Sequence, residues 1–164
     1  MISTQTQAQA ELLHDYDICL DVDASTKEEL FAFAGERAVE HGVASDAAAV
    51  AEDLMARERQ MATGLTKGFA IPHTKSSHVD AVDVLYVRTN APIAWEAMDD
   101  EPTQYFFVLL VPEANEGNVH LKMISELATC LLEDDFIAKV KHMDEPHELA
   151  SYVNASIDMQ GKED

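Results

Sequence analysis

Along residues 17–22 the apolar side chains of Ile18, Leu20 and Val22 alternate with polar neighbours, Cys19 apart, and this period of two predicts a short strand. Ser25-Thr26-Lys27-Glu28 then has the form of a capping box. The helix it opens carries Leu30, Phe33, Ala34 and Ala38 at helical spacing and meets a natural stop at Gly42. Ser45-Asp46 opens a second, Ala-rich helix over 47–61. A turn is expected over 62–67, around Thr63 and Gly64, and Pro72 holds 69–71 extended, which sets His73 at a strand end. Residues 82–89 and 104–111 are strand candidates, the second so continuously apolar that both its faces must be covered. Ala91-Pro92 and the acidic run ending at Pro102 punctuate the connection between them, which carries Trp95. Beyond Pro112, Val119, Met123, Ile124, Leu127 and Leu131 trace a helix that Asn118 caps and His120 begins, and shorter helical patterns follow at 134–141 and 145–153. Strands interspersed with helices, one strand buried on both faces, predict an α/β fold: a mixed central β-sheet flanked by helices on both faces. The expected layout is a flexible segment 1–14, one domain over 15–153 and a frayed polar tail 154–164.

Composition narrows the partners. Thirty-one acidic residues against eleven basic ones give a formal charge of −20, which repels nucleic-acid phosphates and anionic lipid heads. A hydrophobic fraction of 47% exceeds what charge-driven disorder tolerates, while apolar runs such as 106–111 are too short to span a bilayer. Residues 1–10 lack the basic start and apolar centre of a secretory signal, so a cytoplasmic location is expected. Cys19 and Cys130 stand in apolar surroundings without a Cys-x-x-Cys spacing and are expected to be reduced and buried. The acidity also suggests a halophilic source, because in molar salt the Debye length falls to about 3 Å and self-repulsion vanishes; an ordinary acidic cytosolic protein is the other reading.

Within so acidic a chain, residues 57–79 reverse sign: Arg57, Arg59, Lys67 and Lys75 oppose only Glu58, a local formal charge of +3. In their midst lies Gly68-Phe69-Ala70-Ile71-Pro72-His73, and an anion, specifically a phosphoryl group, is the visitor this island suits. A neutral imidazole is nucleophilic near pH 7, and phosphoryl transfer asks the protein mainly for position and for charge to meet the oxygens. Arg57 is the candidate guanidinium; Gly64 and Gly68, with Thr63 beside them, are the expected phosphate-binding backbone. His14, His41, His142 and His147 read as ordinary surface or core residues, and His78 as a loop residue without a partner signal. No metal site is expected from His73, His78 and His120, which lack a zinc-ligand spacing and sit in positive surroundings, and no cofactor is called for. Ser76 and Ser77 lack the Gly-x-Ser-x-Gly elbow of a serine hydrolase.

Arg57-Glu58, Thr63-Gly64-Leu65, Gly68 to His73, and His120-Leu121-Lys122 together resemble the type 2 EIIA domain of the bacterial sugar phosphotransferase system over residues 16–153. The stretches 93–99, 106–113 and 120–127 look most like its fructose branch. The resemblance implies that His73 accepts a phosphoryl group on Nε2 from phospho-HPr and passes it to a cysteine of EIIB, with the EIIC permease downstream. It also implies that Arg57 stabilises the phosphate and that His120 faces the nucleophile. Two departures stand out: Gly64-Leu65-Thr66 replaces the family's usual Gly-Ile-Gly, and Thr74 follows the histidine. A regulatory EIIA of the nitrogen-related branch is the alternative the same residues allow.

Overall fold

The apolar run 106–111 forms the middle of β5 (Thr103–Pro112), every residue of it at most 1% exposed. The structure, a computed structural model, describes residues 12–114 and 119–162, and for 119–120 and 158–162 the backbone alone. On one side β5 pairs antiparallel with β4 (Asp83–Ile93), which in turn pairs parallel with β1 (Ile18–Val22). On the other side β5 receives two short parallel strands in succession, β2 (Phe69–Ala70) and β3 (His73–Ser76). The sheet is therefore mixed, and β3 lies at its edge.

Alternation along the strands divides the core in two. Val84, Tyr86, Phe107 and Leu109 face α3 (Val119–Cys130), α4 (Asp134–His142) and α5 (Pro146–Lys162), through Leu127, Phe136, Val140, Leu149 and Val153. Leu85, Val87, Phe106, Val108 and Leu110 face α1 (Lys27–Glu40) and α2 (Ala47–Gln60), through Leu30, Phe31, Ala34, Val50 and Leu54. Helices cover both faces, as the doubly buried β5 required. Asp46 caps α2 by accepting from the Ala49 N–H at 3.1 Å, as expected.

Three local readings need correction. The cap of α1 sits one residue later and is not a full capping box: Thr26 Oγ1 accepts from the Glu29 N–H at 3.1 Å, while Glu29 Oε1 accepts from the N–H of Ser25, the residue before the cap, at 2.7 Å. Glu29 rather than Glu28 stands three residues after the cap, so the hydroxyl that reaches a free N–H is that of Thr26. Next, β4 does not stop at Thr89 but continues across Pro92 to Ile93, with an irregular register between Arg88 and Ile93. Exposed Ala91 and Pro92 sit in that irregularity, where a missing N–H leaves no ladder bond unmade. Finally, the chain is ordered further at both ends than 15–153. α5 runs to Lys162, Ile157 packs into the core one helical turn past Val153, and the Asn154 amide brackets fully buried Leu13 through two 2.9 Å bonds to its N–H and C=O. Asn118, the expected cap of α3, lies outside the described residues. Both cysteines are free thiols, Cys130 buried and Cys19 half-buried, and burial pushes each up to about 11.

Candidate functional site

Where α2 ends beside β3, a cleft of about 430 Å³ opens, lined among others by Asp53, Arg57, Gln60, His73, Lys75 and Leu121. His73 is the first residue of β3, so the strand resumes directly after Pro72 and fixes the backbone of the ring. Its Nδ1 lies 2.7 Å from the Ile71 carbonyl oxygen, which can only accept; Nδ1 therefore carries the hydrogen. Nε2 is then the acceptor nitrogen, and Arg57 Nη2 donates to it at 3.2 Å. The other end of the guanidinium donates to the Met61 carbonyl at 3.1 Å. A neutral imidazole with its nucleophilic nitrogen turned toward a cation is the outcome.

Arg57 owes its direction to the residue after it. Glu58 is 4% exposed, and its carboxylate accepts three hydrogen bonds: from the Thr63 N–H at 2.7 Å, the Thr63 hydroxyl at 2.8 Å and the Trp95 indole N–H at 3.0 Å. This knot ties the last turn of α2 to the following loop and to the connection after β4, and it leaves Arg57, one position back on the helix, turned toward the cleft. Thr63 thus spends both its donors on Glu58. Gly64 bridges Ala70 and Ala97, and a Cβ there would come within 2.3 Å of the Glu96 carbonyl oxygen, so only glycine permits that approach. Gly68, at φ 86°, turns the chain into β2, its carbonyl accepting from the Gln104 and Tyr105 N–H groups. These three residues build the loop under the site, and none of them is among the residues lining the cleft.

The positive island divides on folding. Arg57 and Lys75 line the cleft, Lys67 pairs with Asp134 at 2.7 Å, and Arg59 lines a neighbouring cleft with Glu28 and Glu52. Asp53, outside the basic stretch of sequence, enters the cleft and accepts from the Ser76 hydroxyl at 2.5 Å while contacting His78 Nδ1 at 3.0 Å. His78 therefore has a partner that sequence did not reveal; the bond to Asp53 raises its pKa above the usual 6.5. The side chain of His120 lies outside the described residues, but Leu121, next along α3, lines the same cleft as His73. Glu58, Trp95 and Asp53 are the contributors that sequence reasoning missed. For the first two, a Glu following the candidate arginine and a lone tryptophan in a polar connection were the available signals.

Residues 11–156 match the family model described as "Phosphoenolpyruvate-dependent sugar phosphotransferase system, EIIA 2". The chain belongs to this family. Among relatives of this EIIA chain, the fructose-specific EIIA component of Haloferax volcanii is 35% identical over 123 residues, covering 75% of this chain and 79% of that protein. The fructose-specific EIIABC component of Bacillus subtilis is 29% identical over 125 residues, 76% of this chain but only 20% of that longer protein. The crystal structure of the nitrogen regulatory protein IIA-Ntr from Neisseria meningitidis superposes with a TM-score of 0.77 at 32% identity, covering 89% of this chain and 96% of that one. A phosphotransferase-system EIIA with the mixed α/β fold is thus established, and no described helix is long and apolar enough to cross a membrane.

Proposed function

We propose that this EIIA is a cytoplasmic phosphocarrier of the fructose branch, with His73 as its phosphorylated residue. The pairing of Nδ1–H with the Ile71 carbonyl and of Nε2 with Arg57 carries this reading. In the first step the Nε2 lone pair attacks phosphorus in line, while the bond from phosphorus to an HPr-like donor breaks and its electron pair returns to the donor. The Ile71 carbonyl holds the Nδ1 proton as the ring gains positive character, and Arg57 leaves Nε2 to meet the phosphoryl oxygens, tethered nearby by its bond to Met61. Lys75 adds charge at the cleft. In the second step a cysteine thiolate of an EIIB partner attacks phosphorus, the N–P bond breaks and His73 returns to its neutral form. His120 joins this machinery by family resemblance, and Thr63, Gly64 and Gly68 serve it by holding the loop beneath. An EIIC permease stands downstream of EIIB, as the B. subtilis relative's composite name suggests.

The test is labelling of the full chain with phosphoenolpyruvate, enzyme I and HPr, followed by addition of EIIB domains. The wild type takes up one acid-labile phosphoryl group and hands it on; a His73→Ala protein that still accepts label would sink the assignment. Likeness to IIA-Ntr at 32% identity supports a second reading, control of target proteins by the phosphorylation state of the same residue. EIIB and EIIC genes beside this one favour transport, and label retained in the presence of every EIIB favours regulation. The acidic surface fits a halophilic source, and a far-ultraviolet dichroism signal unchanged from molar salt down to low salt would remove that reading.

A further inference from the structure

On the α1 and α2 side of the sheet, three residues distant in sequence converge: Asp17 at the end of a 3-10 turn (Asp15–Asp17), His41 just past α1, and Asp83 at the start of β4. His41 Nδ1 lies 3.1 Å from Asp83 Oδ2 and 3.6 Å from Asp17 Oδ1, and one ligand atom from each of the three residues falls within 4.8 Å of the others. Asp17 is 2% and Asp83 8% exposed. Asp17 Oδ2 accepts from the His14 N–H at 2.8 Å and lies 3.2 Å from His14 Nδ1, but Oδ1, buried and aimed at His41, has no hydrogen-bond donor among the described residues. Tyr16 roofs the group, its ring edge-on to His41 at 5.0 Å and stacked on His14 at 4.9 Å. The nearest guanidinium on α1, Arg37, is committed to Glu40.

Two buried carboxylates meet two imidazoles, His41 and the more exposed His14, so their charge is balanced only when both rings carry a second proton, and buried net charge is costly. A divalent cation bound by two carboxylates and a neutral imidazole makes the set neutral and gives the orphaned oxygen a partner. The spacing fits such an ion: tetrahedral bonds of about 2.0–2.1 Å place neighbouring ligand atoms roughly 3.3–3.4 Å apart, and the two measured edges, 3.1 and 3.6 Å, bracket that value. One imidazole nitrogen with two carboxylate oxygens suits Zn²⁺ rather than Mg²⁺, which demands six hard ligands, or Ca²⁺, which takes six to eight.

We propose that Asp17 Oδ1, His41 Nδ1 and an Asp83 carboxylate oxygen bind one Zn²⁺, with water in the fourth position. The ion clamps the entry to β1, the end of α1 and the start of β4, and it is separate from the chemistry at His73. None of the three histidines weighed for metal on sequence grounds takes part.

The experiment uses the full chain stripped with a chelator and titrated with Co²⁺ alone, whose visible bands report tetrahedral coordination, then back-titrated with Zn²⁺. The wild type and a His78→Ala control should each bind one Co²⁺ with these bands, release it to Zn²⁺ and melt at a higher temperature with Zn²⁺ present. Asp83→Asn and His41→Gln should each bind at least tenfold more weakly and lose the bands. Absence of the bands and of any Zn²⁺-dependent melting shift in the wild type overturns the proposal, as does their persistence in either folded variant. Should both variants fail to fold, the wild-type titration and melting shift still decide it.

Discussion

His73 and His41 are both partly buried imidazoles whose Nδ1 meets oxygen, yet their surroundings have opposite sign. His73 donates its Nδ1–H to a backbone carbonyl and turns Nε2 toward the Arg57 guanidinium. His41 has carboxylate oxygens on Nδ1, the arrangement on which a metal ion is proposed to bind. The first arrangement is the one proposed for a nucleophile and the second the one proposed for a cation. Glu58 supplies the third case: a buried carboxylate both of whose oxygens accept from protein donors, three bonds in all. Unspent hydrogen-bonding capacity, rather than burial or residue type, separates a structural group from a binding one.

The sharpest way to break the comparison is at Glu58. Glu58→Ala orphans three donors worth about 1–3 kcal/mol apiece, so we expect at least roughly 3 kcal/mol lost from stability in denaturant titration. Emission from the sole tryptophan, Trp95, should shift to the red as its indole N–H loses its partner. An unaltered midpoint would mean that the knot is dispensable. Next in size is Arg57→Ala, which removes charge-assisted bonds worth about 1.5–3 kcal/mol, so phosphoryl transfer should slow roughly ten- to 150-fold with the fold kept. Quench-flow labelling at the wild-type rate would deny the guanidinium its role.

The smallest effect tests His78, an exposed imidazole beside Asp53. Its bond to Asp53, then the charges of Asp53, Asp46 and Glu52, raise its pKa above 6.5. The protonated form is therefore favoured on folding, so its contribution to stability is fully present below pH 6.5 and fades as pH rises through the higher, folded value. NMR titration should place the His78 midpoint above 6.5 in the wild type and lower it in Asp53→Asn. Equal midpoints in the two proteins would show that Asp53 does not govern it.

Much of the frame could be read from residues close together in the chain. The presence of a strand at β1, the apolar run of β5, the cap at Asp46 and the Pro-His pair at β3 are each set by near neighbours, which is why they are legible without tertiary information. The strict alternation expected of β1, by contrast, is broken at Asp21 (φ 56°), so that Ile18 and Val22 enter opposite core layers. The one-residue shift at Thr26 and the passage of β4 over Pro92 mark the limit of that reading, since either frame satisfied the local pattern and packing chose between them. α5 outran its expected end because Ile157 and Asn154 find partners in Ile18's core layer and at Leu13, far away in sequence.

Within the site, sequence alone specified an imidazole beside a guanidinium in a basic stretch, because composition and motif are local properties. Folding decided which cations that stretch keeps at the cleft, brought Asp53 in from outside it, and turned Thr63 toward Glu58. It also gathered Asp17, His41 and Asp83, whose separations of 24 and 42 positions match no helical or strand period. Charge interactions fall off with distance in space and take no account of distance along the chain. Their sum at any one atom is therefore fixed only when the sheet and its two helical layers close.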